Sequence, residues 1–116
     1  MQESKLRAQS LDFAISIINL VKSLKAKHET IISNQIGRSG TSIGANIREA
    51  QYAQSKADFI AKLQIALKEA NETRYWLELL FRTAYLDRAR FEALDQDCSE
   101  LVALLVSSLK TAKANS

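Results

Sequence analysis

Arg38-Ser39-Gly40-Thr41-Ser42-Ile43-Gly44-Ala45-Asn46-Ile47-Arg48-Glu49 is the stretch on which the fold turns. Ile32, Ile36, Gly40, Ile43, Ile47 and Ala50 keep the spacing of one helical face through and around it. Yet the segment carries glycines, hydroxyls and an asparagine, and Gly costs a helix about 1 kcal/mol relative to Ala. Close approach of a neighbouring backbone is the compensation expected where side chains are removed. On the helical wheel Gly37 and Gly44 share one flank of the core face with Ser33. Ser39 and Asn46 take the opposite flank, where a partly buried amide needs partners. Polar groups of the third helix, Arg74 among them, are the candidates. A phosphate loop of the G-x-x-x-x-G-K-[ST] type is excluded, because neither the lysine nor a preceding strand is present.

Outward from this stretch the chain reads as helix throughout. It has no proline, and its three glycines all lie within residues 37–44. Four helices are expected, over roughly residues 4–26, 29–53, 55–84 and 88–111. The first has a core stripe of Leu6, Phe13, Ile17, Leu20, Val21 and Leu24. The third starts at an N-cap, Ser55, with Asp58 in the capping-box position, and runs on Phe59, Leu63, Ala66, Leu67, Ala70, Leu77, Phe81 and Ala84. The fourth starts at an N-cap, Asp87, and runs on Phe91, Leu94, Cys98, Leu101, Val102, Leu105 and Leu109. Short connections make neighbours antiparallel, so the 116 residues form one all-α domain, an up-down-up-down four-helix bundle.

Two helices carry more apolar surface than a bundle core uses. Leu11, Ile15 and Ile18 form a second stripe on the first helix. Ile65, Trp76, Leu79 and Leu80 lie on a flank of the third. Together they are a candidate oligomer interface, since aromatic anchors are enriched at such surfaces.

The formal charge is +3, a mild basic bias concentrated near the N-terminus. Lys5, Arg7, Lys22, Lys25, Lys27 and Arg38 are the candidate nucleic-acid contacts. A single cysteine, Cys98, leaves no intrachain disulfide and fits a reducing compartment. The first residues lack the apolar run of a signal peptide, and no apolar run is long enough to span a membrane. A cytoplasmic location is expected.

Catalytic and metal chemistry find little to work with. Glu49, Glu69 and Glu72 can approach one another if the second and third helices are neighbours. A di-iron bundle, however, needs Glu-x-x-His pairs, and His28 is the only histidine. The same shortage removes Ser/His/Asp and Cys/His nucleophilic schemes. Cys98 falls on a core stripe and reads as a small buried hydrophobe. No enzymatic activity, cofactor or metal is expected.

Arg38-Ser39-Gly40-Thr41-Ser42-Ile43-Gly44-Ala45-Asn46-Ile47-Arg48-Glu49-Ala50 resembles the R-S-x-x-S-I-x-x-N-I-x-E-[AG] signature of proteins encoded in intervening sequences of bacterial 23S rRNA genes. Ser55-x-x-Asp58-Phe59-Ile60-x-Lys62-Leu63-x-Ile65-Ala66-Leu67-Lys68-Glu69-Ala70-x-Glu72-Thr73-x-Tyr75-Trp76-Leu77 is similar to that family's third helix. The resemblance covers nearly the whole chain. It implies an antiparallel four-helix bundle, often a ring-like pentamer. Relatives include the accessory variability proteins of diversity-generating retroelements, basic barrels that bind nucleic acid and a reverse transcriptase. This chain is less basic than such a partner would be. The motif residues Ser42, Asn46, Glu49, Glu69, Glu72 and Trp76 all match, and both a functional and a buried-network role stay open for them.

Two functions follow as expectations. One is a homo-oligomer, pentameric by the resemblance, that binds RNA or a nucleic acid–protein complex through its basic residues. The other is a protein–protein scaffold with no nucleic-acid binding.

Overall fold

The computed structural model describes residues 2–115, with side chains from Lys5 onward. Helices α1 (Gln2–Ala26), α2 (Ile31–Gln51), α3 (Lys56–Arg82) and α4 (Arg88–Ala114) run antiparallel in a rod of 47 × 22 × 19 Å. Each helix packs on its sequence neighbour, and α4 returns beside α1. The backbones of the diagonal pairs α1/α3 and α2/α4 stand farther apart, with the shared core between them. The α1–α4 seam is the loosest and α2–α3 the most extensive.

The core is what the 3.6-residue period selects. Leu6, Phe13, Ile17, Leu20 and Leu24 of α1 meet Ile36, Ile43 and Ile47 of α2, with Leu63, Ala66, Ala70 and Leu77 of α3 and Leu94, Leu101 and Leu105 of α4. Two positions depart from expectation. Leu80 is fully buried at 0% exposure, because it lies on the wheel beside Leu77 rather than on the outer flank. Ala84 is exposed and outside the helix, at φ 68°.

The glycine segment faces α1 along its length. A Cβ on Gly40 would lie 2.8 and 2.9 Å from the γ carbons of the buried Ile17. At Gly44 the nearest atom, Ser10 Oγ, is 3.3 Å away, and at Gly37 it is Val21 at 3.4 Å. The close approach expected of the flanking glycines is therefore tightest at Gly40, on the core line itself.

The turns explain the boundaries. His28 (φ 65°) and Ala84 both take the left-handed conformation and end their helices in Schellman motifs. Glu29 N–H donates to Leu24 O at 2.9 Å and His28 N–H to Lys25 O at 3.0 Å. Tyr85 N–H donates to Leu80 O at 2.9 Å and Ala84 N–H to Phe81 O at 3.1 Å. The second helix starts at Ile31, two residues later than the periodicity suggests. Glu29 folds back instead, and its carboxylate accepts from the N–H groups of Ile31 (3.2 Å), Ile32 (3.0 Å) and Ser33 (2.7 Å). Ser55 caps α3 by accepting from Asp58 N–H at 3.0 Å, and Asp87 caps α4 by accepting from Arg90 N–H at 2.8 Å. Asp58 reaches back to Gln54 N–H at 3.4 Å, one residue before a capping box would place it.

Candidate assembly and nucleic-acid surfaces

The polar residues of α2 have partners within the fold. Ser42 donates to Arg38 O at 2.6 Å, and Asn46 donates to Ser42 O at 2.9 Å. Asn46 thus finds its partner one turn back on its own helix. Arg74, one of the candidate partners, instead pairs with Asp95 of α4 through Nε (3.0 Å) and Nη2 (3.3 Å). Ser39 and Thr73 bring their hydroxyls within 2.8 Å of each other, fully buried between α2 and α3.

Arg38 reaches across that seam. Its guanidinium donates to Glu69 at 2.8 Å and also to Glu72, which in turn accepts from Trp76 Nε1 at 3.0 Å. Two carboxylates pair with this cation, so Arg38 ties α2 to α3 while its side chain stays 49% exposed. The three glutamates do not converge either. Glu49 faces Lys62 at 3.7 Å, about 16 Å along α2 from Arg38. No group of three or more His, Cys, Asp or Glu among the described residues can hold a metal ion.

Cys98 is buried and its thiol donates to Ala70 O at 3.3 Å. Burial pushes its pKa up to about 12, with the neighbouring Arg74 pulling the other way. The thiolate needed for nucleophilic or redox work is suppressed there. His28 is an exposed turn residue.

The extra apolar stripes lie at the surface. Leu11, Ile15 and Ile18 are 50%, 52% and 44% exposed, and Ile65 of α3 is 40% exposed. Trp76 and Leu79 are half-buried, and Tyr75, which the periodicity did not single out, packs edge-on against Trp76 at 5.0 Å. Leu80 does not belong to this face. Leu11 borders the groove between α1 and α2, and Trp76 is joined through Glu72 to Arg38 of α2, so the two apolar faces flank α2 on its two sides.

The expected cations separate in space. Lys5 and Arg7 lie at the end holding the α2–α3 turn, while Lys22, Lys25 and Lys27 lie at the other. Lys5 and Lys22 are about 25 Å apart along the helix. At the first end Arg48, Lys56 and Lys110, which the sequence reading passed over, are exposed beside Lys5 and Arg7. Only antiparallel packing gathers these four helix ends, so no linear motif marks them. At the waist Asp12, Asp97 and Glu100 gather between α1 and α4, while Glu69, Glu72 and Asp95 are paired with Arg38 and Arg74.

The fold is that of a small all-α four-helix-bundle protein with two exposed apolar faces. The chain belongs to the 23S rRNA-intervening sequence protein family, whose model matches residues 2–107. Among solved structures, a protein with unknown function from the S23 ribosomal protein family of Bacteroides thetaiotaomicron VPI-5482 is 56% identical. It superposes with a TM-score of 0.93, covering 95% of this chain and 99% of that one. No curated protein matches. No helix among the described residues is long and apolar enough to cross a membrane.

Proposed function

We propose that this chain is a non-catalytic cytoplasmic protein that assembles into a cyclic homo-oligomer, a pentamer by family resemblance, and holds RNA or another nucleic acid on its basic surface. The observation that carries the reading is the pair of exposed apolar faces on diagonal helices. A patch on one side that matches a different patch on the other gives head-to-tail contacts, which close into rings or run on as filaments. A two-fold dimer would leave one face of each copy bare.

The heights of the two faces agree. Gly40 abuts Ile17, and Ser39 abuts Thr73, so Ile17 and Thr73 share a level in the bundle. Counting along each helix, Leu11 is level with Ile65, and Ile18 and Lys22 are level with Glu72 and Trp76. Copies related by rotation about an axis along the bundle would set Leu11 against Ile65. Lys22 would then lie level with Trp76, about one turn from Glu72, which makes it an interface residue before a phosphate contact.

Light scattering in solution tests the assembly. The wild type should have a multiple of the 13.0 kDa chain mass. Ile15→Asp, at an exposed position, should reduce it to the single-chain mass with helix content intact. A wild-type monomer would remove the ring. Nucleic-acid binding should weaken steeply as salt rises from about 50 to 200 mM. An assembled protein that ignores nucleic acid at low salt would leave the scaffold reading, which the Tyr75–Trp76 pair favours as an aromatic anchor for another polypeptide.

A further inference from the structure

Tyr52 ends α2 in the turn toward α3, and its side chain is 74% exposed. Its ring stacks on no other aromatic among the described residues. Burial of aromatic area does not account for a tyrosine there. Its surroundings hold cations and acids together: Arg48, Lys62, Glu49 and Asp58 line the same cleft. Arg48, one turn earlier, lines the same open cleft as Tyr52, about 740 Å³ in volume. Arg48 and Arg7 together line a second cleft of about 180 Å³ where α1 crosses α2 beside Gly44. Lys56 shares a third, of about 560 Å³, with Arg7. Lys56 Nζ also donates to Asn115 O at 2.8 Å, which ties the end of α4 to the same surface. Arg7 and Arg48 enter no ion pair among the described residues. The acids close by are engaged: Glu49 with Lys62 at 3.7 Å, and Asp58 with the backbone at the start of α3.

We infer that this end of the bundle is a binding site for single-stranded nucleic acid, with Tyr52 stacking on an unpaired base and Arg7 and Arg48 holding the flanking phosphates. The inference rests on the nucleic-acid reading above and adds the strandedness and the place. A protruding aromatic ring needs a base with a free face, and a duplex offers none along its length. Stacking combined with a cationic track is the chemistry of sequence-tolerant single-strand binding. In a ring whose axis runs along the bundle, this turn recurs on one rim at every protomer. A strand crossing several copies then gains from effective concentration.

Fluorescence anisotropy on the intact protein tests it, with labelled oligo-uridine and oligo-deoxythymidine strands of about 12 nucleotides and a blunt duplex of the same length as probes. The expected result is single-strand binding at least tenfold tighter than duplex binding. Tyr52→Ala should weaken the single strand by about tenfold or more, and Tyr52→Phe should retain it. Arg48→Ala should weaken binding and flatten its salt dependence. The two single strands separate RNA from DNA as the source of the same chemistry. Tyr52 is solvent-exposed, so helix content and solution mass of the variants should match the wild type. Wild-type binding that survives Tyr52→Ala, or duplex bound as tightly as single strand, overturns this site and leaves nucleic-acid binding standing. Failure of the wild type to bind any probe at low salt removes the nucleic-acid reading itself.

Discussion

At Gly40 the α1–α2 contact leaves no room for a methyl group. Ile17, the residue it would meet, is β-branched, buried and stiff at χ1. Gly40→Ala therefore sets a helix-propensity gain of about 1 kcal/mol against overpacking of about 1–3 kcal/mol, and a net loss is expected. Gly37→Ala meets only ordinary van der Waals contact with Val21. It should stabilise the protein by about 0.5–1 kcal/mol. Urea unfolding midpoints of the two variants check this, and midpoints that shift in the same direction would count against the packing argument. That glycine here meant close packing was legible in the sequence. Which glycine carried the demand was not, because the answer depends on where Ile17 stands on another helix.

Among the four helices, the ends were less legible than the faces. Ser55 and Asp87 cap as their residue types predict, since a short oxygen-bearing side chain reaches the N–H two or three residues on. Glu29 does comparable work at α2 with a longer side chain, a use that cap preferences do not flag. Its replacement by Ala would leave three N–H groups of the first turn without their acceptor, one of them on the buried Ser33. Ala84 marks the opposite case. An alanine in the left-handed region is strained by about 1–2 kcal/mol, and glycine there is not. Ala84→Gly should raise the melting temperature by a few degrees, in keeping with about 1 kcal/mol in a domain of this size. An unchanged or lowered melting temperature would show that the α3–α4 turn is relaxed as it stands.

Across the whole molecule, exposed cations stand at both ends, and the acids of the waist that pair with no cation gather at one seam. This is the loosest seam, where Asp12, Asp97 and Glu100 line a cleft of about 300 Å³ between α1 and α4. Partial burial, with Glu100 adding repulsion, raises the pKa of Asp97 from its ordinary value. A raised carboxylate pKa means that folding favours the protonated form. The ionised group therefore opposes folding at neutral pH, and the penalty disappears as pH falls below the ordinary carboxylate value. Asp97→Asn should raise the melting temperature at neutral pH and make no difference at about pH 3. The side chain is exposed, so the effect is small. A gain that persists undiminished in acid would assign it to packing rather than charge. The basic residues of α1 were legible one by one. Their division between two ends, and the company that Arg48, Lys56 and Lys110 give to Lys5 and Arg7, arise from antiparallel packing of remote segments.

By itself the sequence determined the helical class, the core stripes, two of the three N-caps and the family, because each depends on spacing along one chain segment. Tertiary structure alone decided which side chains meet. It buried Leu80 beside Leu77, turned Arg38 from a free cation into a tie between Glu69 and Glu72, and sent Arg74 to Asp95 rather than Asn46. It also placed the apolar faces of α1 and α3 on the two sides of α2. These outcomes depend on helix rotation and relative height, which are fixed by how four apolar stripes fill one core and which no single segment encodes.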